Sequence, residues 1–302
     1  MGERILLVDD EVDFLDVVGE FLTDEGYEVT TAQNGRQALD ILENKTFDLL
    51  LSDINMPEMK GFELLNQAAA RFPSMRRALI TAYDVRDYLY MAKNHDIGNI
   101  ITKTTPFNFN EIRVLIRNIL TGDVFGLEKY VGGAVERRAI KHAGEIEQAV
   151  TDIAQSMTEP DHRRRFRQAL GEIVVNAFFY GARQERGDRK DKWEFGGELK
   201  PDEEIIVCWA ADHEKAGVSV TDQKGRLTKK EILYWLERNT TRGKDGLSTG
   251  LLDEHGKGLY IARETIDRFI VNVQRNVRTE VVMLNYKRGL YDGHRPLWIH
   301  EL

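Results

Sequence analysis

The sequence predicts an α/β protein built in two parts. Residues 1–121 are expected to form a doubly wound, five-stranded parallel sheet. Residues 161–302 are expected to form an α/β sandwich, a mixed sheet with helices packed on one face, and residues 122–160 a linker and long helix between the two. Three observations lead there. A chain of 302 residues is about twice a typical domain. Short apolar runs alternate five times with amphipathic stretches before residue 121, the pattern of parallel strands covered by helices on both faces. The charge is also split: residues 1–121 hold 12 basic and 20 acidic side chains, so the net charge of -8 falls entirely in that part and the remainder is neutral.

The strands of the first half read as Ile5–Val8, Tyr27–Ala32, Phe47–Ser52, Arg77–Thr81 and Ile97–Thr102. Helical patterns lie between them at about 11–25, 34–43, 60–71, 84–93 and 107–120. Thr121-Gly122-Asp123 supplies a helix stop. In sheets of this kind ligands bind beyond the carboxyl ends of the strands, so the residues that follow each strand matter most. They are Asp9 and Asp10 after the first, Asp53 after the third, Thr81 closing the fourth with Ala82 behind it, and Lys103 after the fifth. Carboxylates clustered at one edge repel one another unless a cation is present, and oxygen ligands suit Mg²⁺. A carboxylate held against Mg²⁺ and a lysine is suited to attack a phosphoryl group, because both cations offset charge on the transferring oxygens.

This half resembles the receiver domain of two-component response regulators, a flavodoxin-like fold. The matching residues are Leu6-Leu7-Val8-Asp9-Asp10-Glu11, the run from Asp53 to Gly61, Thr81-Ala82 and Lys103. The resemblance implies that Asp53 is the phosphoacceptor. It implies that Asp10, Asp53 and the backbone carbonyl of Asn55 bind Mg²⁺, with Asp9 contacting the ion mainly through water. Thr81 and Lys103 would contact the phosphoryl oxygens, and an upstream histidine kinase would be the partner. Two positions depart from the family pattern. Ile100 stands where an aromatic is common, and Thr104 and Thr105 separate Lys103 from Pro106. The phosphoryl pocket is expected intact and the relay from it altered.

Composition excludes several classes. The chain has one cysteine, Cys208, so neither an intramolecular disulfide framework nor a cysteine-based zinc site is expected. No apolar run approaches 18 residues, and the N-terminus lacks a signal-peptide pattern, which points to the cytoplasm and away from membranes. The acidic balance argues against direct nucleic-acid binding.

Over the connection, Val135, Ala139, Ile146, Ala149, Val150 and Ile153 predict one long helix from about Ala134 to Met157, with His142 in its middle. His142 is followed by Ala143-Gly144 rather than an acidic residue, so it reads as a surface or packing histidine. Pro160 opens a new helix. The run from His162 to Arg167 reads as a solvated helix face, with docking of the acidic half as the lesser alternative.

In the second half, Glu172 and Asn176 lie four residues apart and share one helix face. Val218-Ser219-Val220-Thr221-Asp222 reads as a strand ending in an acid, followed by Gln223-Lys224-Gly225. The Gly/Ser/Thr/Asp-rich stretch from Asn239 to Glu254 is longer than an ordinary connection and reads as a lid. It leads to Gly256-Lys257-Gly258 at the start of a helix, where exposed N–H groups suit phosphate. Further strands are expected at Ile205–Ala210, Phe269–Gln274 and Val281–Asn285, and 293–298 reads as an extended segment without assignable chemistry.

These pieces together resemble the GHKL ATP-binding fold of histidine kinases, Hsp90, gyrase and MutL-type ATPases, and most closely the anti-sigma serine kinases. The resemblance implies ATP as ligand, Mg²⁺ held through Asn176, Asp222 on the adenine amino group with Gly225 and Thr279 nearby, phosphates cradled by Gly256, Lys257 and Gly258, and Glu172 as general base toward a protein hydroxyl. The first glycine of the usual acid box is replaced by Lys224 and the second by Arg226, and Phe179 stands where sensor kinases often carry a basic residue. The function expected is a response regulator controlling an anti-sigma-type serine/threonine kinase, whose target is an anti-anti-sigma or sigma factor. The alternative is an ATP-gated binding switch without phosphotransfer. A DNA-binding output and a true histidine kinase rank below both, and homodimerisation through the 134–157 helix or the fifth receiver helix is a further expectation.

Overall fold

The computed structural model describes residues 2–157, 159–182, 198–241, 257–288 and 290–302. The chain forms two compact units, one of Met1–Asp123 with Tyr291–Trp298, the other of Val124–Leu290 with Ile299–Leu302.

In the first unit, strands β1 (Arg4–Val8), β2 (Glu28–Ala32), β3 (Leu49–Asp53), β4 (Arg76–Thr81) and β5 (Asn99–Thr102) alternate with helices α1 (Val12–Asp24), α2 (Gly35–Asn44), α3 (Gly61–Arg71), α4 (Leu89–Asn94) and α5 (Phe109–Thr121). The strand order is β2-β1-β3-β4-β5. All four pairings are parallel, as the expected doubly wound flavodoxin-like fold requires. The central strands β1 and β3 are buried apart from Arg4 at the start of β1, because helices lie on both sides of them. Phe21 of α1 meets Phe109 of α5 at a ring-centroid distance of 4.8 Å, which places these two helices on one face. The stop after α5 is Gly122 at φ 71°, a left-handed C-cap that favours glycine. The fourth helical pattern divides into a 3-10 turn, Val85–Tyr88, followed by the six-residue α4. Tyr291–Trp298 also belong to this unit, against the expectation that 161–302 runs uninterrupted as one domain.

The second unit contains β6 (Glu136–Ile140), α6 (Ile146–Ser156), α7 (Pro160–Asn176), β7 (Ile205–Ala211), β8 (Lys215–Asp222), α8 (Lys229–Thr240), α9 (Lys257–Thr265), β9 (Arg268–Gln274) and β10 (Arg278–Tyr286). The long helix expected over 134–157 is therefore part strand and part helix. Glu136–Ile140 pairs antiparallel with β7, and His142 caps the turn that follows, sharing a capping box with Glu145. The strand order is β9-β10-β8-β7-β6. Each of these neighbouring pairs is antiparallel where a mixed sheet was expected. Alternation along β8 sends Val218, Val220 and Asp222 to one face and Gly217, Ser219 and Thr221 to the other. A Cβ on Gly217 would strike Val131 and Leu127, so residues 127–131 press directly on that second face. Arg165 in the basic run is tied to Asp267 at 2.6 Å and to the Thr265 carbonyl, so that face is partly committed to packing within the unit.

Strand β11 (Leu297–Glu301) carries His300. This imidazole is fully buried, and its Nε2 has no hydrogen-bond partner among the described residues. Burial pushes its pKa down to about 4. Between pH 6.5 and 4 the unfolded chain binds a proton that the folded chain refuses, so stability is lost as pH falls. His300 is expected to cost about 2–3 kcal/mol by pH 4.5. In urea titrations at pH 7 and pH 4.5, His300→Phe should remove that part of the acid destabilisation.

Candidate functional site

The carboxyl ends of β1, β3, β4 and β5 bring Asp9, Asp53, Thr81 and Lys103 together. Asp9, Asp53 and Thr81 are buried. The Lys103 ammonium lies 2.8 Å from Asp9 Oδ2, 2.8 Å from Glu11 Oε1 and 3.3 Å from Asp53 Oδ1. It also sits over the Phe14 ring, 4.3 Å from its centroid. Burial pushes the Asp9 carboxyl up to about 6, with Lys103 working against that rise. Burial likewise raises Asp53, opposed by the Lys103 charge and the Asn55 N–H. For Lys103 burial is the largest single influence and lowers the pKa, but the surrounding carboxylates outweigh it and hold the ammonium above its ordinary value.

The backbone around Asp53 is tightly fitted. The Asn55 N–H donates to Asp53 Oδ2 at 2.5 Å. The Gly61 N–H donates to the Ile54 carbonyl, and a Cβ on Gly61 would lie 2.1 Å from the Asp53 carbonyl oxygen, so no larger residue fits there. Thr81 lies opposite Thr102 in the β4–β5 register, and its hydroxyl accepts from the Tyr83 N–H. Asp10 is exposed at the rim. Among the described residues no three acidic, histidine or cysteine side chains converge as metal ligands, so a closed three-carboxylate cluster is not present. Asp10 adds to the negative charge felt by Asp53, so the two carboxylates lie near each other.

Two neighbours, Phe14 and Tyr88, escaped sequence reasoning. Phe14 lies beneath the lysine, which Glu11 of the first strand-end motif also shares. The Asn55 side chain donates to the Tyr88 hydroxyl at 2.5 Å. Tyr88 stacks on Phe62, seven residues beyond Thr81 in a segment without a recognisable motif.

In the second unit, Glu172 and Asn176 both face the first turn of α9. A Cβ on Gly258 would stand 2.8 Å from Glu172 Oε2 and 2.8 Å from Asn176 Nδ2, so the glycine lets these groups approach the helix start closely. Beyond Asn176 the helix continues as a π-helical turn, Ala177–Ala182. There a Cβ on Gly181 would lie 2.9 Å from the Asp222 carboxylate. Asp222 is buried, accepts from the N–H groups of Lys224 and Gly225, and pairs in register with Thr279. Its burial raises its pKa against those hydrogen bonds.

Other expected site residues have different surroundings. Gly225, at φ 57°, is required by the β9–β10 turn, where a Cβ would meet the Gln274 carbonyl at 2.1 Å. Lys224 reaches outward to Asp202 at 2.6 Å, and Arg226 donates to the carbonyls of Gly181 and Ala182. Phe179 is buried in the core. Lys257 begins α9. Gly256 and residues 242–254 of the expected lid lie outside the described residues, and Asn239 ends within α8.

The response regulator receiver domain model matches residues 5–117. The chain is 34% identical over 120 residues to sporulation initiation phosphotransferase F of Bacillus subtilis, covering 40% of this chain and 95% of that protein. It is 29% identical over 154 residues to the probable transcriptional regulator ycf29 of Pyropia yezoensis, covering 47% of this chain and 64% of that one. Among solved structures, a CheY-like receiver domain protein from Methanospirillum hungatei is 34% identical, covering 40% of this chain and 96% of that one at a TM-score of 0.38. The chain therefore belongs to the response regulator receiver family, and residues 5–117 are its two-component receiver domain. Domains of this family bind Mg²⁺ at the phosphorylation site and interact with upstream histidine kinases.

Lys103→Met should lower stability by about 3 kcal/mol at pH 8, since buried carboxylates would lose their cation. The deficit should shrink toward pH 5, where Asp9, pushed up to about 6 by burial, takes up a proton in the folded state. Urea unfolding at the two pH values measures both.

Proposed function

We propose that Asp53 accepts a phosphoryl group and that its phosphorylation controls the unit spanning 124–290, which binds ATP and acts as a serine/threonine protein kinase of the anti-sigma type. For the receiver, the supporting feature is the Lys103 ammonium held between Asp9 and Asp53. Asp53 is the nucleophile, and Thr81 and Lys103 are the groups for the phosphoryl oxygens. Asp10, Asp53 and the Asn55 carbonyl would hold Mg²⁺, with Asp9 in support, and the ion would supply positive charge against those oxygens.

For the second unit, the observation that carries the reading is the end of α7. One continuous helical segment brings Glu172 and Asn176 against Gly258 and then brings Gly181 against Asp222. Side chains of the types an ATP site needs thus lie along one element, and at both contacts a missing Cβ leaves room. Asp222 with Thr279 suits an adenine, Lys257 and Gly258 suit phosphates at a helix start, and Gly256 belongs to the same reading by sequence. Asn176 suits the metal that accompanies ATP. Glu172 is the proton acceptor for a protein hydroxyl. The partners on this reading are an upstream histidine kinase and an anti-anti-sigma or sigma factor.

The second reading, a nucleotide-gated binding switch, draws on Arg226. Its bonds to the Gly181 and Ala182 carbonyls tie the α7 end to the turn after Asp222. Movement at the site would therefore pass into α7 without any phosphotransfer.

A labelled phosphoryl donor should label the full chain and fail to label Asp53→Ala. In calorimetry, Asn176→Ala should abolish Mg-ATP binding; unchanged affinity would overturn the ATP assignment. Glu172→Ala should keep ATP binding and lower phosphotransfer by about 100-fold or more, and retained turnover would favour the switch.

A further inference from the structure

The two departures of this receiver from its family pattern occur at one place, where residues 291–298 dock. β5 ends the parallel sheet and would otherwise expose an unpaired backbone edge. Leu297 pairs antiparallel with Ile100 and Trp298 with Asn99, and both side chains are buried. Ile100 is the residue that replaces the usual aromatic. The added Thr104 and Thr105 make the remaining contacts. Thr105 exchanges two backbone hydrogen bonds with Asp292, at 2.7 and 3.0 Å. Thr104 packs on Gly293, where a Cβ would come within 3.1 Å of its methyl group. Gly293 has φ 157°, at the limit of what larger residues tolerate. Thr102 donates its hydroxyl to the His294 carbonyl at 2.8 Å, and the His294 ring lies 3.6 Å from Asp84.

These anchors adjoin the phosphoryl pocket. Thr102 lies beside Thr81 in register, and the Lys103 N–H donates to the Thr81 carbonyl at 2.8 Å. Asp84 follows Thr81 by three residues. A phosphoryl group on Asp53 adds negative charge and draws the Thr81 hydroxyl and the Lys103 ammonium toward it. That pull acts on residues 81–84 and 102–105, which hold the docked segment. The close seat at Gly293 leaves little slack for the shift.

We propose that Tyr291–Trp298 is an intramolecular ligand of the β5 edge, a clasp whose hold weakens when Asp53 is phosphorylated. The proposal rests on Asp53 as the phosphoacceptor. Docked, the segment covers the edge. Released, it opens the β5 edge to a partner strand and frees the chain leading to Ile299–Leu302. Phosphorylation and docking are then linked reciprocally: weakening the clasp strengthens binding of a phosphoryl mimic.

The test uses the full chain with Mg²⁺ and beryllofluoride. Fluorine NMR first establishes that the mimic is bound and that Asp53→Ala abolishes it; failure here removes the phosphoacceptor reading and leaves docking itself unaffected. With the mimic bound, amide exchange in peptides covering 97–105 and 291–298 should rise by about tenfold. Unchanged or slower exchange overturns the clasp. Thr102→Val and Gly293→Val should raise exchange at 291–298 without the mimic and tighten beryllofluoride affinity by about threefold or more. Unchanged affinity in a variant whose segment exchanges freely overturns the linkage.

Discussion

The receiver depends on one ammonium group. Lys103 neutralises buried carboxylates that come from two different strand ends, β1 and β3, and is itself carried by a third, β5. Without it, Asp9 and Asp53 would repel each other in a largely buried site. The strand order follows the same logic, since only a parallel sheet brings these carboxyl ends to one edge. The neighbouring glycine, Gly61, lets the chain close on the Asp53 backbone. Charge balance and close backbone approach together keep Asp53 in position.

The second unit is organised by missing side chains rather than by charge. Gly258 and Gly181 stand where any Cβ would collide with Asn176 or Asp222. Gly258 lies against, and Gly181 within, one helical segment that passes from α-helix into a π-helical turn, a distortion that often marks functional positions. Arg226 fastens the end of that segment. Lys224 and Arg226 have local roles: Arg226 secures the helix end, and Lys224 pairs at the surface with Asp202.

Much of this was legible in the residues. The five strand ends of the receiver and their carboxylates follow from short apolar runs, because a parallel strand buried on both faces needs them. The helix pair Glu172 and Asn176 follows from helical spacing. The stretch 134–157 was misread for a physical reason. Glu136–Ile140 is a five-residue edge strand with exposed charged side chains, and Val135 and Ala139 fit a helical face equally well over so short a length. The antiparallel pairing of the second sheet was equally hidden, since strand direction depends on partners far away in sequence. Tyr88 and Phe14 were missed because each matters through a neighbour that folding supplies.

The unequal charge and the order of strand-end residues are properties of the sequence itself. They follow from local composition and periodicity, and they determined that the first half would be a phosphoryl-type acidic pocket. Only the tertiary structure decided that Glu11 and Phe14 share Lys103, which glycines are forced by contact, and that residues 291–298 return to the β5 edge. Those outcomes depend on groups separated by up to about two hundred residues, such as Thr102 and His294. No local pattern encodes such a pair, because its free energy arises only when the two backbones meet.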